Sequence, residues 1–159
     1  MIELDLYTDE YSGRSAGAPY GISAGGVVYR KQGNDYEYLI LGRNDKGGTS
    51  YHLPKGTLHL GEGIESAALR EITEEAGVRV QLKTFIGGKQ AIFMHSGNEY
   101  DKTFLYYAAE YIGEAEPMDD EHDFRQWCGY DDTIAKLRSN IKREDVFVER
   151  THNYLQNNG

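Results

Sequence analysis

Two runs rich in β-branched and aromatic residues, Ile22 to Arg30 and Tyr36 to Gly42, flank the polar stretch Gln32-Gly33-Asn34-Asp35. That order predicts a β-hairpin. Lys46 to Ser50 reads as a polar loop with two glycines, and Tyr51 to Leu60 leads into a helix. From Ile64 to Ala76 the residues Ala68, Leu69, Ile72 and Ala76 recur at helical spacing and predict a stripe facing the core. Gly77, just past the last turn, is a natural left-handed terminator. Val78 to Ile86 and Lys89 to Met94 read as strands separated by Gly87-Gly88, and Lys102 to Ile112 as a long strand. Gly113 to Asp120 is an acidic loop with Pro117, and Phe124 to Gly129 is another strand. Asp131 or Asp132 can cap a helix running to about Leu137. Glu144 to Gln156 closes the chain as an amphipathic helix. Mixed strands with a few helices predict an α+β fold. Residues 1–19 are polar and read as an arm or edge strand, and residues 20–159 as one domain.

The predicted helix carries an arrangement that stability alone does not call for. Glu71, Glu74 and Glu75 are related as i, i+3 and i+4, so they share an arc about 100° wide. Glu74 and Glu75 sit at the negative end of the helix dipole, where carboxylates are disfavoured, and they repel one another. A divalent cation reverses the sign, because hard cations want clustered carboxylate oxygens. The competing reading is a solvated acidic face with an Arg70–Glu74 ion pair.

Bulk properties narrow the partners. The 159 residues are 39% hydrophobic and 27% charged, ordinary for one globular domain with a full core. The net charge of −9 argues against long nucleic acid as a partner, since backbone binding needs Lys and Arg. A small polyanion carried in with Mg²⁺ or Mn²⁺ stays compatible. Cys128 is the lone cysteine, so no internal disulfide forms and a reducing compartment is expected. The start MIELDLYTDE lacks the basic and apolar regions of a signal peptide, and the run Phe104 to Ala109 is too short to span a membrane. These features predict a cytoplasmic protein.

Residues 56 to 78 read GTLHLGEGIESAALREITEEAGV. Gly56, Glu62, Arg70, Glu71, Glu74, Glu75 and Gly77 are in register with the Nudix box. At usages of about 5–7% each, seven such residues coincide by chance with a probability on the order of 10⁻⁹. The chain therefore resembles the Nudix hydrolases. The resemblance implies an α/β/α sandwich around a mixed sheet, with the box as a loop–helix–loop holding divalent cations against a diphosphate. It implies metal ligation by Glu74 and Glu75, and Glu71 as a ligand or as the base acting on water. Arg70 would orient the acidic cluster with Glu62 as its partner, and a carbonyl at Lys55 or Gly56 would complete a metal shell.

Three matches outside the box resemble the asymmetric diadenosine tetraphosphate hydrolases. Tyr51-His52-Leu53-Pro54-Lys55-Gly56 is similar to their aromatic-x-x-Pro-Lys-Gly approach to the box, which implies Tyr51 and Lys55 as substrate contacts, Lys55 on a phosphate. On the strand Lys102-Thr103-Phe104-Leu105-Tyr106-Tyr107, Lys102, Phe104 and Tyr106 share one face, offering a phosphate contact and a ring for adenine. Glu121-His122 with Trp127 resembles their EH…W segment, where the Glu is a further metal ligand or base. Each has a plainer alternative: a solvated Lys55, an ordinary sheet tyrosine at 106, a solvated acidic loop around Glu121, a core Trp127. His52, His59 and His95 have no metal-ligand spacing and receive no catalytic role. The implied reaction is metal-dependent hydrolysis of a nucleoside diphosphate linked to another moiety, with diadenosine tetraphosphate giving ATP and AMP as the leading substrate. The alternatives are a MutT-type nucleoside triphosphate pyrophosphatase, an RNA 5′ pyrophosphohydrolase, or a non-enzymatic nucleotide sensor.

Overall fold

The computed structural model describes the backbone of residues 20–95, 98–140 and 142–158, and the side chains of these outside 20 and 92–101. The expected arm, residues 1–19, lies outside the described residues. Among the described residues the strands are β1 (Tyr20–Gln32), β2 (Asp35–Asp45), β3 (Gly48–His52), β4 (Lys55–Thr57), β5 (Val78–His95), β6 (Asn98–Glu114) and β7 (Phe124–Gly129). The helices are α1 (Ile64–Ala76), α2 (Tyr130–Arg138) and α3 (Asp145–Asn158). The sheet runs β3-β2-β1-β6-β5, with β4 paired to β1 and β7 to β2. β1 and β6 are parallel and the remaining pairs antiparallel, which makes the sheet mixed.

Period-two alternation along the central strands sorts side chains into two layers. Ile22, Ala24 and Val28 of β1, Leu39 and Leu41 of β2, and Leu105 and Ala109 of β6 pack with Ala67, Ala68, Ile72 and Ala76 of α1. Their neighbours Val27, Tyr29, Tyr38, Ile40, Tyr106 and Ala108 pack on Leu137 of α2 and on Phe147, Val148 and Leu155 of α3. The result is the α/β/α sandwich, with α1 on one face and α2 and α3 on the other.

One edge of β1 is shared between two partners. Ser23 to Gly25 pair with β4, and Tyr29 to Gln32 pair with β2. β6 holds the opposite edge from Tyr20 to Tyr29. Between β3 and β4 the chain passes Leu53 and Pro54 beside β1, where the Gly26 N–H donates to Pro54 O at 3.1 Å, and Lys55 then starts β4 opposite Gly25.

α1 occupies its predicted span, but its buried stripe differs from expectation. The buried residues are Ile64, Ala67, Ala68, Ile72, Glu75 and Ala76, while Leu69 is 39% exposed. The set follows i, i+3, i+4, i+8, i+11, i+12, and half-buried Glu71 fills i+7, which places Glu71 and Glu75 in the inward stripe and leaves Leu69 and Glu74 off it. Gly77 adopts φ 69°, and its N–H donates to Thr73 O. An arginine from elsewhere serves the helix C-terminus: Arg125 Nη1 of β7 donates to Ala76 O at 2.7 Å.

Several boundaries move. Only Lys46 and Gly47 form the turn between β2 and β3, and Gly48 to Ser50 belong to β3. Gly87-Gly88 does not separate two strands: β5 is continuous, with a register shift between Phe85 and Gly87 that bends it. α2 is preceded by Gly129 without a side-chain cap, and Asp131 and Asp132 lie in its first turn. There they favour the positive end of the helix dipole instead of capping it. α3 begins at Asp145 and extends to Asn158. No helix among the described residues is long and apolar enough to cross a membrane.

Candidate active site

The loop before α1 is tied down by one guanidinium. Arg70 Nε and Nη2 donate to the two carboxylate oxygens of Glu62 at 2.7 and 2.8 Å. Nη1 donates to Glu71 Oε1 at 2.6 Å and Glu74 Oε2 at 3.2 Å, and Nη2 also reaches Thr57 O at 3.1 Å. Arg70 therefore links β4, the 58–63 loop and the acidic face of α1. The Arg70 hydrogen bonds, joined by the His59 N–H, draw the Glu62 carboxyl down to about 2, against the effect of burial. With every direction of its fork engaged, Arg70 positions the cluster and leaves substrate contacts to others.

Glu71 and Glu75 reach past the helix into a cavity of about 700 Å³ at the end of the sheet. Glu75 Oε1 accepts the Lys55 backbone N–H at 3.0 Å. Burial first, and then the Glu121 carboxylate, push the Glu75 carboxyl up to about 8. Burial also raises Glu71. A Cβ at Gly56 would run into the Glu71 carboxyl group, so a larger residue there would push that carboxylate aside. Glu74 differs from its two neighbours. Its side chain is 51% exposed, it pairs with Arg70, and it does not line the cavity.

Glu121 arrives from the loop between β6 and β7. Ala115 N–H donates to Gly77 O and Asp119 N–H to Glu74 O, so the loop crosses the C-terminal end of α1. Arg43 Nε donates to Glu121 O at 2.9 Å, and Asp123 bonds back to Gly42 and Asn44 of β2. The loop brings Glu121 and His122 into the cavity lining. Glu75, Glu121 and His122 each offer one ligand atom within 4.8 Å of the others.

The facing wall is basic. Lys55, Lys102 and Lys142 have their ammonium groups 6.0, 5.8 and 5.1 Å from the centroid of the Phe104 ring. Lys102 donates to Thr57 Oγ1 at 2.7 Å, and burial followed by the Lys55 charge lowers its pKa. The same two causes bring Lys142 down to about 8. Lys55 is not a solvated loop residue: its ammonium pairs with Glu144 at 2.9 Å. Glu144 is wholly buried, and also accepts the Tyr106 hydroxyl at 2.6 Å and the Leu53 N–H at 3.1 Å. Burial opposes its ionisation, but the Lys55 charge and these hydrogen bonds outweigh it and hold the carboxyl below its ordinary value.

Two expected substrate residues stand elsewhere. Tyr106 is 1% exposed, stacked on Phe147 at 4.2 Å, and no base can reach its ring. It shares a face with Lys102 and Phe104, but α3 covers that face beyond Phe104. Tyr51 packs edge-on against Phe124, beneath the Lys136 ammonium and outside the cavity lining. Trp127 meets Tyr111 and the Arg30 guanidinium on the sheet, away from the cavity.

Lys142 and Glu144 are part of this region without having been singled out in the sequence, and His52, which received no catalytic role there, joins them. His52 lines the cavity, its ring 5.4 Å from that of His122. Burial keeps both imidazoles near pKa 4 and hence neutral at pH 7; Lys55 adds to this at His52 and Arg43 at His122. Lys142 and Glu144 lie in a short polar turn between two helices, a context that usually means solvent. The donor set fits a divalent cation: the buried carboxylate of Glu75 and the half-buried one of Glu71 enter the cavity from the helix, with Glu121 facing them.

A NUDIX domain model matches residues 19–150. The MutT4 protein of Mycobacterium tuberculosis is 35% identical over 75 residues, covering 46% of this chain and 30% of that protein, so the chain spans under a third of that relative. The asymmetrical bis(5′-nucleosyl)-tetraphosphatase of Sus scrofa is 33% identical over 122 residues, covering 75% of this chain and 80% of that protein. Among solved structures, a binary complex of an Ap4A hydrolase from C. elegans superimposes with a TM-score of 0.60 at 20% identity, covering 86% of this chain and 98% of that one. At that identity the superposition speaks for the fold.

Proposed function

Since this chain belongs to the Nudix hydrolase family, whose members act on phosphoric anhydrides, we propose that its cavity hydrolyses a nucleotide polyphosphate with a divalent metal, Mg²⁺ or Mn²⁺. The leading substrate is diadenosine tetraphosphate, cleaved to ATP and AMP. One observation carries the reading: carboxylates of Glu71, Glu75 and Glu121 face ammonium groups of Lys55, Lys102 and Lys142 across a single cavity. A bare cation meets the lysines, and a bare anion meets the carboxylates. A metal-bound polyphosphate satisfies both walls. The volume is within the range of pockets that enclose small ligands, about 300–1,000 Å³.

The metal, when bound, supplies charge for the phosphoryl oxygens and an activated water. The chain's own residues do the rest. Glu75 and Glu71 are the ligands offered by α1, with Glu121 opposite; the family match adds Glu74 and a carbonyl at Lys55 or Gly56. Glu71 or Glu121 is the group placed to take the water proton. Lys102 and Lys142 hold the phosphates further along the chain, while Lys55 is partly committed to Glu144. Water adds to one phosphorus and the P–O bond to its bridging oxygen breaks; the water oxygen stays on the attacked phosphate, the bridging oxygen leaves with the other product, and the base takes the water proton. Phe104 is the phenyl ring among the lining residues and is flanked by ammonium groups, while Tyr106 does not reach the cavity to stack on a base.

The similarity to the pig tetraphosphatase supports the dinucleotide, and that to the mycobacterial MutT4 protein supports a nucleoside triphosphate as the second reading. A substrate panel with Mg²⁺, resolved by chromatography, separates them. ATP plus AMP from diadenosine tetraphosphate, suppressed by EDTA, is the expected result. Turnover of 8-oxo-dGTP to its monophosphate with the dinucleotide untouched would replace it. Hydrolysis of no nucleotide in the panel would favour a sensor.

A further inference from the structure

His122 is left without work by the reading above. It is only 9% exposed, and its Nδ1 is the one buried side-chain nitrogen or oxygen among the described residues with no hydrogen-bond partner. Such an atom costs about 1–3 kcal/mol of lost hydration, and native structures rarely tolerate it without an occupant. The neighbours do not supply one. The His52 ring stands tilted at 57°, and its own nitrogens engage Ser50 and Asn140. The Arg43 guanidinium Nε is turned to the Glu121 carbonyl.

Besides the His52 ring and the Arg43 charge, His122 meets two carboxylates. One ring nitrogen and one oxygen each from Glu75 and Glu121 lie within 4.8 Å of one another. Ligands of a single ion, at about 2.0–2.2 Å each, span up to roughly 4.4 Å.

We infer that His122 is a nitrogen ligand to the divalent cation held by Glu75 and Glu121, making this position a mixed nitrogen–oxygen site instead of an all-carboxylate one. The inference rests on the metal-dependent reading of the same cavity. It adds a consequence that carboxylates alone do not have. Carboxylate and water ligands suit Mg²⁺, whereas an imidazole favours later transition ions such as Co²⁺ and Zn²⁺. His122 therefore biases the site away from Mg²⁺.

Pulsed electron paramagnetic resonance on the metal-stripped chain reloaded with Mn²⁺ alone reads the ligand directly. A ¹⁴N modulation is expected in the unmutated chain, converted to a ¹⁵N pattern by ¹⁵N-histidine labelling. It is expected to vanish in His122→Gln and persist in His52→Gln. In calorimetry, His122→Gln is expected to weaken Co²⁺ by about 10–100-fold, with Mg²⁺ affinity changed less than about threefold. Bound Mn²⁺ with no histidine nitrogen coupling in the unmutated chain overturns the role of His122 and leaves the carboxylate site standing. So does coupling that survives in a folded His122→Gln. No Mn²⁺ binding at all overturns both the inference and the metal-dependent reading beneath it.

Discussion

Replacing Glu75 with glutamine is expected to remove most turnover while making the metal-free protein more stable. The carboxylate is 5% exposed, faces Glu121, and sits at the negative end of α1. Burial, and then the Glu121 carboxyl beside it, raise its pKa. A carboxyl raised in the folded state binds its proton more tightly there than in the unfolded chain. Its favourable contribution is complete below the ordinary value of 4.5 and is lost as pH climbs through the raised value near 8. In EDTA, Glu75→Gln should therefore match the parent near pH 4 and exceed it progressively above that. At pH 8 we expect about 1 kcal/mol, or roughly 2–4 °C in Tm for a chain of this size. Turnover with Mg²⁺ should fall at least on the order of 10²-fold, since loss of even an outer partner of a metal ligand can cost that much. Thermal melts with and without metal, beside initial rates, check both halves. Normal rates at limiting Mg²⁺, or a variant less stable than the parent in EDTA at pH 8, would remove Glu75 from the metal site.

Glu144→Leu is expected to be the most destabilising of the single changes considered. The carboxylate is fully buried and holds Lys55, Tyr106 and the Leu53 N–H together, tying the start of α3 to the strand that leads into β4. Removing it strands an ammonium whose side chain is 9% exposed. Breaking such a pair from one side costs about 3–5 kcal/mol, or roughly 6–20 °C in Tm. The pair itself is worth much less against apolar replacements. Lys55→Met added to Glu144→Leu should accordingly recover part of the loss. Chemical denaturation of the parent, both single variants and the double variant gives the cycle. Additive losses, with no recovery in the double variant, would show that Glu144 acts through packing alone.

The box was the most readable part of the chain because its information is local. Apolar spacing and Gly77 set the span of α1, and the Arg70–Glu62 pair follows from loop and helix being neighbours in sequence. Even there, the same spacing held a distinction that the acidic grouping obscured. Glu71 and Glu75 belong to the inward stripe and Glu74 does not, so three carboxylates on one arc become two in the cavity and one at its rim. The hairpin of β1 and β2 was legible from its turn residues. The Gly87-Gly88 pair was not, since a glycine pair marks a bend as readily as a break.

Long-range packing explains the rest. Alternation puts Lys102, Phe104 and Tyr106 on one face but does not say where along the strand a helix begins to cover it. α3 settles that, leaving Lys102 and Phe104 at the cavity and burying Tyr106. Glu144 and Lys142 sit in a polar turn whose burial depends on β4 and β6, distant in sequence. The placement of Glu121 depends on backbone bonds from the 113–123 loop to the end of α1 and to β2, none of which leaves a mark in the acidic run MDDEHD.

Anomalous diffraction from crystals grown with Mn²⁺ and a non-hydrolysable phosphonate analogue of diadenosine tetraphosphate tests the central claim most directly. A cavity that seats metal and polyphosphate together predicts a manganese peak at about 2.0–2.4 Å from carboxylate oxygens of Glu75 and at least one of Glu71 and Glu121. It also predicts phosphate oxygens of the analogue on that ion and within hydrogen-bonding distance of Lys102 and Lys142. Manganese found only outside this cavity, or an analogue seated away from both walls, would contradict it.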